Sequence, residues 1–125
     1  MFEINDDLSI HITRGDVGVI EVSSRKNDTE MYTFEPGDVV RFRVYPRKDH
    51  GNVVLAKTIV VEEATEVVPI NLYRTDTKLG GIINKPVVYW YEVELNPDTT
   101  PQTLIGYDKN GPKLFTLYPE GGGSE

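Results

Sequence analysis

Apolar and polar side chains alternate along most of this chain, and this alternation constrains the fold more than any other feature. Residues 39–45 and 87–95 carry apolar side chains at every second position, and similar short runs recur between Gly, Pro, Asn and Asp residues. A period of two is typical of a strand with one buried face. Seven or eight such strands in 125 residues predict an all-β fold, an immunoglobulin-like antiparallel β-sandwich.

The strand boundaries follow from the same pattern and from the residues that interrupt it. Pro69 is expected to place its strand at a sheet edge or to give it a bulge, because proline has no N–H to donate to a neighbouring strand. The Asn110-Gly111 pair predicts a hairpin between the last two strands. A single helical turn fits only at 73–78. The predicted strands cover residues 8–12, 17–22, 39–45, 53–61, 66–72, 87–95, 103–107 and 113–118.

Chain length and composition predict one domain that can fold without disulfide bonds. A chain of 125 residues can bury roughly two-thirds of its unfolded surface. We therefore expect a single β-sandwich domain over residues 1–119, followed by a flexible Gly-rich tail at 120–125. Cysteine is absent, which excludes disulfides, thiol chemistry and cysteine-based zinc sites.

The net charge and the N-terminal sequence limit the classes of binding partner and the cellular compartment that can be expected. The chain has 13 Lys and Arg residues and 20 Asp and Glu residues, and the resulting net charge of -7 argues against a nucleic-acid partner. The N-terminus has no basic start and no long apolar run, so neither a signal peptide nor a membrane-spanning helix is predicted. We expect synthesis and folding in the cytoplasm, without a membrane partner.

The tripeptide Arg14-Gly15-Asp16 suggests either a receptor-binding motif or a bend between two strands. A receptor motif requires an exposed loop tip, whereas this tripeptide lies between two strand-like runs. Glycine provides a positive φ, and an Asp side chain can close a turn. Gly37-Asp38 repeats the same Gly-Asp-Val arrangement before another strand. The pattern therefore favours a structural turn.

Residues that would form a catalytic or metal site are sparse. The sequence has no Gly-x-Ser-x-Gly motif, and only His11 and His50 could act as an imidazole base. The acidic pairs at 6–7 and 62–63 lack the spacing and the glycine of a calcium loop. We predict no enzymatic activity, no metal and no cofactor. An enzyme hypothesis would require activity to fall when either histidine is replaced by alanine.

The strand at 87–95 holds the best candidate binding surface. Trp90 shares one face with Glu92 and Glu94, and Tyr89 and Tyr91 flank it. An aromatic plane beside carboxylates can stack a sugar ring, so a carbohydrate-binding module is one hypothesis. Aromatic residues in a central strand more often belong to the core or to an interface between subunits.

Three segments together resemble a known family. Residues 12–16 (ITRGD), 34–44 (FEPGDVVRFRV) and 89–95 (YWYEVEL) look like the strand-and-turn motifs of small tail proteins from phages and prophages of Gram-positive bacteria. The chain is similar to the N-terminal domain of baseplate upper proteins over about residues 8–118. Those proteins continue into a helical linker and a second domain, whereas this sequence stops at Glu125. A freestanding tail accessory protein is therefore expected as the alternative within this family.

The resemblance implies a non-enzymatic structural protein of a tail baseplate. Its partners would be other tail or baseplate proteins and further copies of itself, and its destination would be the virion tail. Docking would use sheet edges and the aromatic strand. The residues expected at interfaces are Arg14, Asp16, Tyr45, Tyr73, Trp90 and Glu92, and of these Tyr45, Tyr73 and Trp90 are expected to be exposed.

Overall fold

A computed structural model describes residues 1–46 and 51–120, and the chain there forms nine strands and one helical turn. His50 and residues 121–125 of the predicted tail lie outside this range. The elements are β1 (Phe2–Ile4), β2 (Ile10–Thr13), β3 (Gly18–Val22), β4 (Val39–Pro46), β5 (Leu55–Val60), β6 (Val68–Leu72), α1 (Arg74–Thr77), β7 (Val87–Leu95), β8 (Gln102–Ile105) and β9 (Lys113–Tyr118).

Two sheets hold these strands. The larger sheet has the order β1-β2-β9-β7-β4-β5, and β8 pairs with β7 as well. The smaller sheet consists of β3 and β6. The predicted all-β, sandwich-like class is therefore confirmed. All pairs in the large sheet are antiparallel except β2 with β9, whose parallel register runs from Ile10 opposite Phe115 to Thr13 opposite Tyr118.

The core lies on one face of each sheet because the sequence alternation places apolar side chains there. In β4 the fully buried residues are Val40, Phe42 and Val44, while Arg41 and Arg43 lie on the opposite side. The small sheet contributes its own alternate residues from β3 and β6. The buried core comprises Ile10, Ile12, Ile20, Val22, Phe34, Val40, Phe42, Val44, Val61, Val68, Ile70, Leu72, Leu79, Tyr91, Val93, Leu95, Phe115 and Leu117.

The structure corrects two sequence predictions at the N-terminal end. Leu8 was expected to lie in the first strand, but its φ is 69° and its side chain is exposed, so the strand begins only at Ile10. A further strand, β1, pairs with β2 through the register Phe2 opposite Ile12. This strand raises the count above the predicted seven or eight. Its three residues are too few for a period of two to be visible.

The predicted hairpin between the last two strands is wrong. Asp108 and Gly111 bond each other's backbones across the Asn110-Gly111 turn, but β8 and β9 do not pair. Both strands instead pair with β7, at opposite ends of it. The local turn signal is therefore correct, whereas the strand pairing is decided by β7.

Two other predictions are confirmed. Pro69 lies in β6, a strand of the two-stranded sheet, and its side chain is exposed. The helical turn occupies Arg74–Thr77, within the predicted segment 73–78. This helix is far too short to cross a bilayer, and the part of the chain that the structure describes has no longer one.

Candidate functional site

The outer face of the large sheet carries a group of polar and aromatic side chains that we call the outer-face cluster: Arg43, Tyr45, Trp90, Glu92 and Glu94. Strands β4 and β7 position them, because residues at every second position point away from the core. Register places Trp90 opposite Tyr45 and Glu92 opposite Arg43. The sequence prediction that Trp90, Glu92 and Glu94 share one face is confirmed.

Charged hydrogen bonds join these side chains. Arg43 Nη2 donates to Glu92 Oε1 at 3.2 Å, and it also donates to Glu94 Oε1. The Tyr45 hydroxyl donates to the same Glu92 oxygen at 2.7 Å. The guanidinium carbon of Arg43 lies 5.8 Å from the centroid of the Tyr45 ring. One cation is therefore shared by two carboxylates that would otherwise repel each other.

Tyr45 is buried, which contradicts its predicted exposure. Only 3% of its surface is accessible, because the residue lies among the long side chains of the cluster. Burial, followed by the hydrogen bond to Glu92, raises the pKa of the Tyr45 hydroxyl to about 12. The hydroxyl is therefore a hydrogen-bond donor at neutral pH, and it cannot serve as a surface anchor for another subunit in this conformation.

Trp90 extends the cluster toward a residue that the sequence analysis did not select. Its ring lies 5.9 Å from the ring of Tyr107, and the two planes are inclined by 60°. Tyr107 follows β8 and 68% of its surface is accessible, whereas Trp90 is half-buried. Tyr107 stood at the end of a predicted strand with no neighbouring motif, so the sequence offered no signal for this contact.

The tripeptide at 14–16 forms a turn, as predicted. The Asp16 N–H donates to the carbonyl of Thr13 at 2.9 Å, and Gly15 has a φ of 87°. A glycine with positive φ at the third position is what a type II turn requires. Thr77 fixes the turn against α1, because its hydroxyl accepts from the Gly15 N–H at 3.0 Å and donates to the Asp16 carbonyl at 2.8 Å.

Arg14 is engaged inside the protein and is not presented at a loop tip. Its side chain is only 9% accessible, its Nη1 donates to Glu120 at 2.9 Å, and its Nη2 donates to the Gly80 carbonyl at 3.2 Å. Asp16 contacts the amino group of Met1. Neither residue lies in the outer-face cluster. Glu120 belongs to the predicted tail, and this contact anchors it beside the turn.

Tyr73, another predicted interface residue, lies elsewhere in the fold. It precedes α1 and is 58% accessible, which confirms its predicted exposure. Lys57 Nζ lies 4.7 Å from its ring centroid and donates to Asp76 at 2.8 Å. These contacts tie α1 to β5, and none of them involves the outer-face cluster.

His11 lies in a polar chain that resembles a catalytic triad in composition but not in order. Its Nε2 is 3.1 Å from Ser9 Oγ, and its Nδ1 is 2.8 Å from the Tyr118 hydroxyl. Ser9 Oγ donates to Asp7 at 2.6 Å, and this bond lowers the pKa of the Asp7 carboxyl. A nucleophilic serine requires the acid to orient the histidine. Here the acid contacts the serine instead.

The described segments 1–46 and 51–120 contain no group of three or more His, Asp or Glu side chains positioned to hold a metal ion. Comparison with family models, with curated proteins and with solved structures finds no match to this chain.

Proposed function

We propose that this chain is a non-enzymatic structural protein of a phage or prophage tail baseplate, acting by self-association and by docking of neighbouring proteins. The strand-and-turn motifs at 12–16, 34–44 and 89–95 support the family, and the immunoglobulin-like assignment forms part of the same proposal. The protein would be made in a bacterial cytoplasm and carried in the virion tail.

The observation that carries this proposal is the open edge of the large sheet. Strand β5 ends the sheet, with β4 on one side and no hydrogen-bonded strand of the described residues on the other. An unpaired strand edge presents backbone donors and acceptors to any extended segment that fits. Such an edge is suited to assembly, and natural monomers usually protect it.

The polar groups of the chain support a structural role in preference to catalysis. Both carboxylates of the outer-face cluster accept hydrogen bonds within the cluster. The Ser9 hydroxyl donates to Asp7, and no carboxylate of the described residues is hydrogen-bonded to His11. Neither arrangement provides the activated nucleophile that hydrolysis requires.

Particle composition tests the proposal. A tagged chain would be expressed in the bacterium that encodes it, and particles released after prophage induction would be purified on a density gradient. We expect the tag to co-sediment with tail proteins at a fixed stoichiometry, while a tagged unrelated cytoplasmic protein stays in the soluble fraction. Recovery of the chain only in the soluble fraction would contradict a tail function.

A carbohydrate-binding module is the second candidate, and the Trp90–Tyr107 pair favours it. The accessible Tyr107 ring beside Trp90 offers an aromatic surface on which a sugar ring could stack. A glycan array with the intact chain tests this function. If it holds, Tyr107→Ala abolishes the signal, whereas Tyr73→Ala, which removes a similarly exposed ring elsewhere, leaves the signal unchanged. An array without signal eliminates this candidate.

A further inference from the structure

The free edge of β5 has a defined set of unpaired backbone groups. The Val61 N–H donates to the Asp38 carbonyl at 2.8 Å, so residue 61 faces β4. Hydrogen-bonded and non-bonded positions alternate in an antiparallel ladder, so the other odd-numbered residues of this strand also face β4. Ala56, Thr58 and Val60 therefore direct their N–H and C=O groups away from the sheet.

Little in β5 protects this edge against a further strand. The strand contains no proline and no glycine, and its one charged residue is Lys57. The Lys57 ammonium is bonded to Asp76 on the inner side. Other edges of the described chain are shorter or protected, since β1 has three residues and β6 contains Pro69.

We propose that β5 pairs in antiparallel register with β5 of a second copy of this chain, with the two-fold axis at Thr58. The pairing would join two large sheets into one continuous sheet. The inference deepens the proposed function, on which it rests, by naming the partner and the strand through which self-association occurs. An isologous interface of this kind closes as a dimer.

The register follows from the side chains of β5 itself. An axis at Thr58 places Thr58 opposite its own copy, Ala56 opposite Val60, and Lys57 opposite Ile59. Threonine pairs and small-with-large apolar pairs stabilise a sheet, and no like charges face each other. An axis at Lys57 would instead place two ammonium groups opposite each other. No pair within this register is repulsive and the Thr58 and Ala56–Val60 pairs are favourable, which is why a second copy is the favoured occupant.

The same register covers apolar surface and separates the acidic residues. Val60 is exposed in the single chain and lies within the paired strand Leu55–Val60. Glu62 follows the strand four residues from the axis, so its counterpart would lie eight residues away along the strand direction. At 3.3 Å per residue that separation is roughly 26 Å, beyond the Debye length of about 8 Å at physiological salt.

Charge substitution at the axis tests the pairing. Thr58 is exposed, so Thr58→Lys and Thr58→Glu should both fold as the wild-type chain does. In a dimer each variant places like charges opposite each other, and we expect the dissociation constant to rise by about fivefold or more. An equimolar mixture of the two variants pairs opposite charges and should recover the wild-type affinity. Sedimentation velocity over a wide concentration range measures all three samples.

A matched control distinguishes this edge from others. Thr103 is an exposed threonine in the edge strand β8, and Thr103→Lys and Thr103→Glu should dimerise like the wild type. The inference is overturned if the wild-type chain is monomeric throughout, if both Thr58 variants dimerise normally, or if the mixture does not recover. Incorporation into tail particles is measured separately. A monomer found in particles overturns this pairing alone, and a β5-paired dimer absent from particles overturns the tail function alone.

Discussion

At the scale of single residues, two glycines allow the chain to turn before its strands. Gly15 and Gly37 both have positive φ, at 87° and 96°. In each turn the aspartate that follows donates its N–H to the residue three positions earlier, at 2.9 Å to Thr13 and 3.0 Å to Glu35. The sequence analysis recognised this shared arrangement, and it explains why the first of these tripeptides is a turn and not a displayed ligand.

Alanine at either glycine should destabilise the fold. A left-handed conformation costs a residue with a Cβ roughly 1–2 kcal/mol. Gly15→Ala should cost more than Gly37→Ala, because its Cβ would lie 3.2 Å from Lys78 Cε and 3.4 Å from Glu120 Oε1, whereas nothing lies within 4 Å at Gly37. Urea denaturation measures the free energy of unfolding of both variants.

Gly81→Ala is the control for these variants. An added Cβ there meets nothing within 4 Å and its φ is not left-handed, so the substitution should be neutral or stabilising by up to about 1 kcal/mol. A loss at Gly81 equal to the loss at Gly15 would show that backbone conformation is not the cause.

The Asp38 carboxylate should make stability depend on acidic pH. Burial opposes its ionisation, but hydrogen bonds from the Glu35 N–H, the Tyr32 hydroxyl and the Asn96 amide together lower the pKa of Asp38. A lowered folded-state pKa adds stability above the unfolded value of about 3.9, and this stability is lost as pH falls through the folded-state pKa.

Asp38→Asn tests this dependence. The variant should be less stable than wild type at neutral pH, and the difference should shrink as the pH falls below about 4 toward the lowered pKa of folded Asp38. Chemical denaturation at a series of pH values measures it. Asp28→Asn replaces an exposed carboxylate and should leave the dependence of the free energy of unfolding on acidic pH as it is in the wild type. A constant difference between Asp38→Asn and wild type at all pH values contradicts the assignment.

At the scale of elements, β4 and β7 form the centre of the large sheet and are linked through Arg43. The guanidinium forms ion pairs with both Glu92 and Glu94, which lie two residues apart on one face of β7. We expect Arg43→Met to lower the free energy of unfolding by about 1–2 kcal/mol at neutral pH, an amount discounted for partial exposure.

Arg41→Met provides a control within the same strand. The partner of Arg41 is Asp98, whose side chain is 77% accessible, and an exposed ion pair contributes roughly 0–1 kcal/mol. Thermal unfolding at pH 7 compares the free energy of unfolding of the two variants. Equal losses from the two substitutions would mean that charge sharing in the outer-face cluster does not stabilise the sheet.

The part of the site that depends on alternation within one strand could be predicted from the sequence. The part that depends on which strands pair could not. Alternation within β7 correctly placed Trp90, Glu92 and Glu94 on one face. It carries no information on which strand lies beside β7, so the register that brings Arg43 and Tyr45 to these carboxylates could not be predicted. Tyr45 was consequently expected to be exposed, although neighbouring long side chains bury it.

At the scale of the whole molecule, the last described strand is central to the large sheet. Strand β9 lies between β2 and β7 and pairs with both. The sequence predicted that residues 113–118 form a strand, but its turn signal pointed to β8 as the partner. Contacts between distant parts of a chain leave no local pattern, which is why the parallel pair β2–β9 was not foreseen.

Truncation should reveal the central position of β9. A chain that ends at Pro112 loses Phe115 and Leu117 from the core. It also loses the strand that joins the β1–β2 pair to β7 in the large sheet. We expect this chain to lose cooperative unfolding, whereas a chain ending at Glu120, which keeps the contact with Arg14, should unfold like the full chain. Circular dichroism during heating compares them. A cooperative transition in the shorter chain would contradict a central role for β9.

The parallel contact between β2 and β9 also has a consequence during synthesis. Ile10 and Ile12 are translated roughly a hundred residues before their neighbours in the sheet, Phe115 and Leu117. At about 5–20 residues per second, roughly a hundred residues take some 5–20 s. Throughout this interval the nascent chain exposes an apolar β1–β2 segment that has no sheet to join. Completion of the large sheet therefore waits until β9 has been synthesised, and the nascent segment is a natural substrate for chaperones until then.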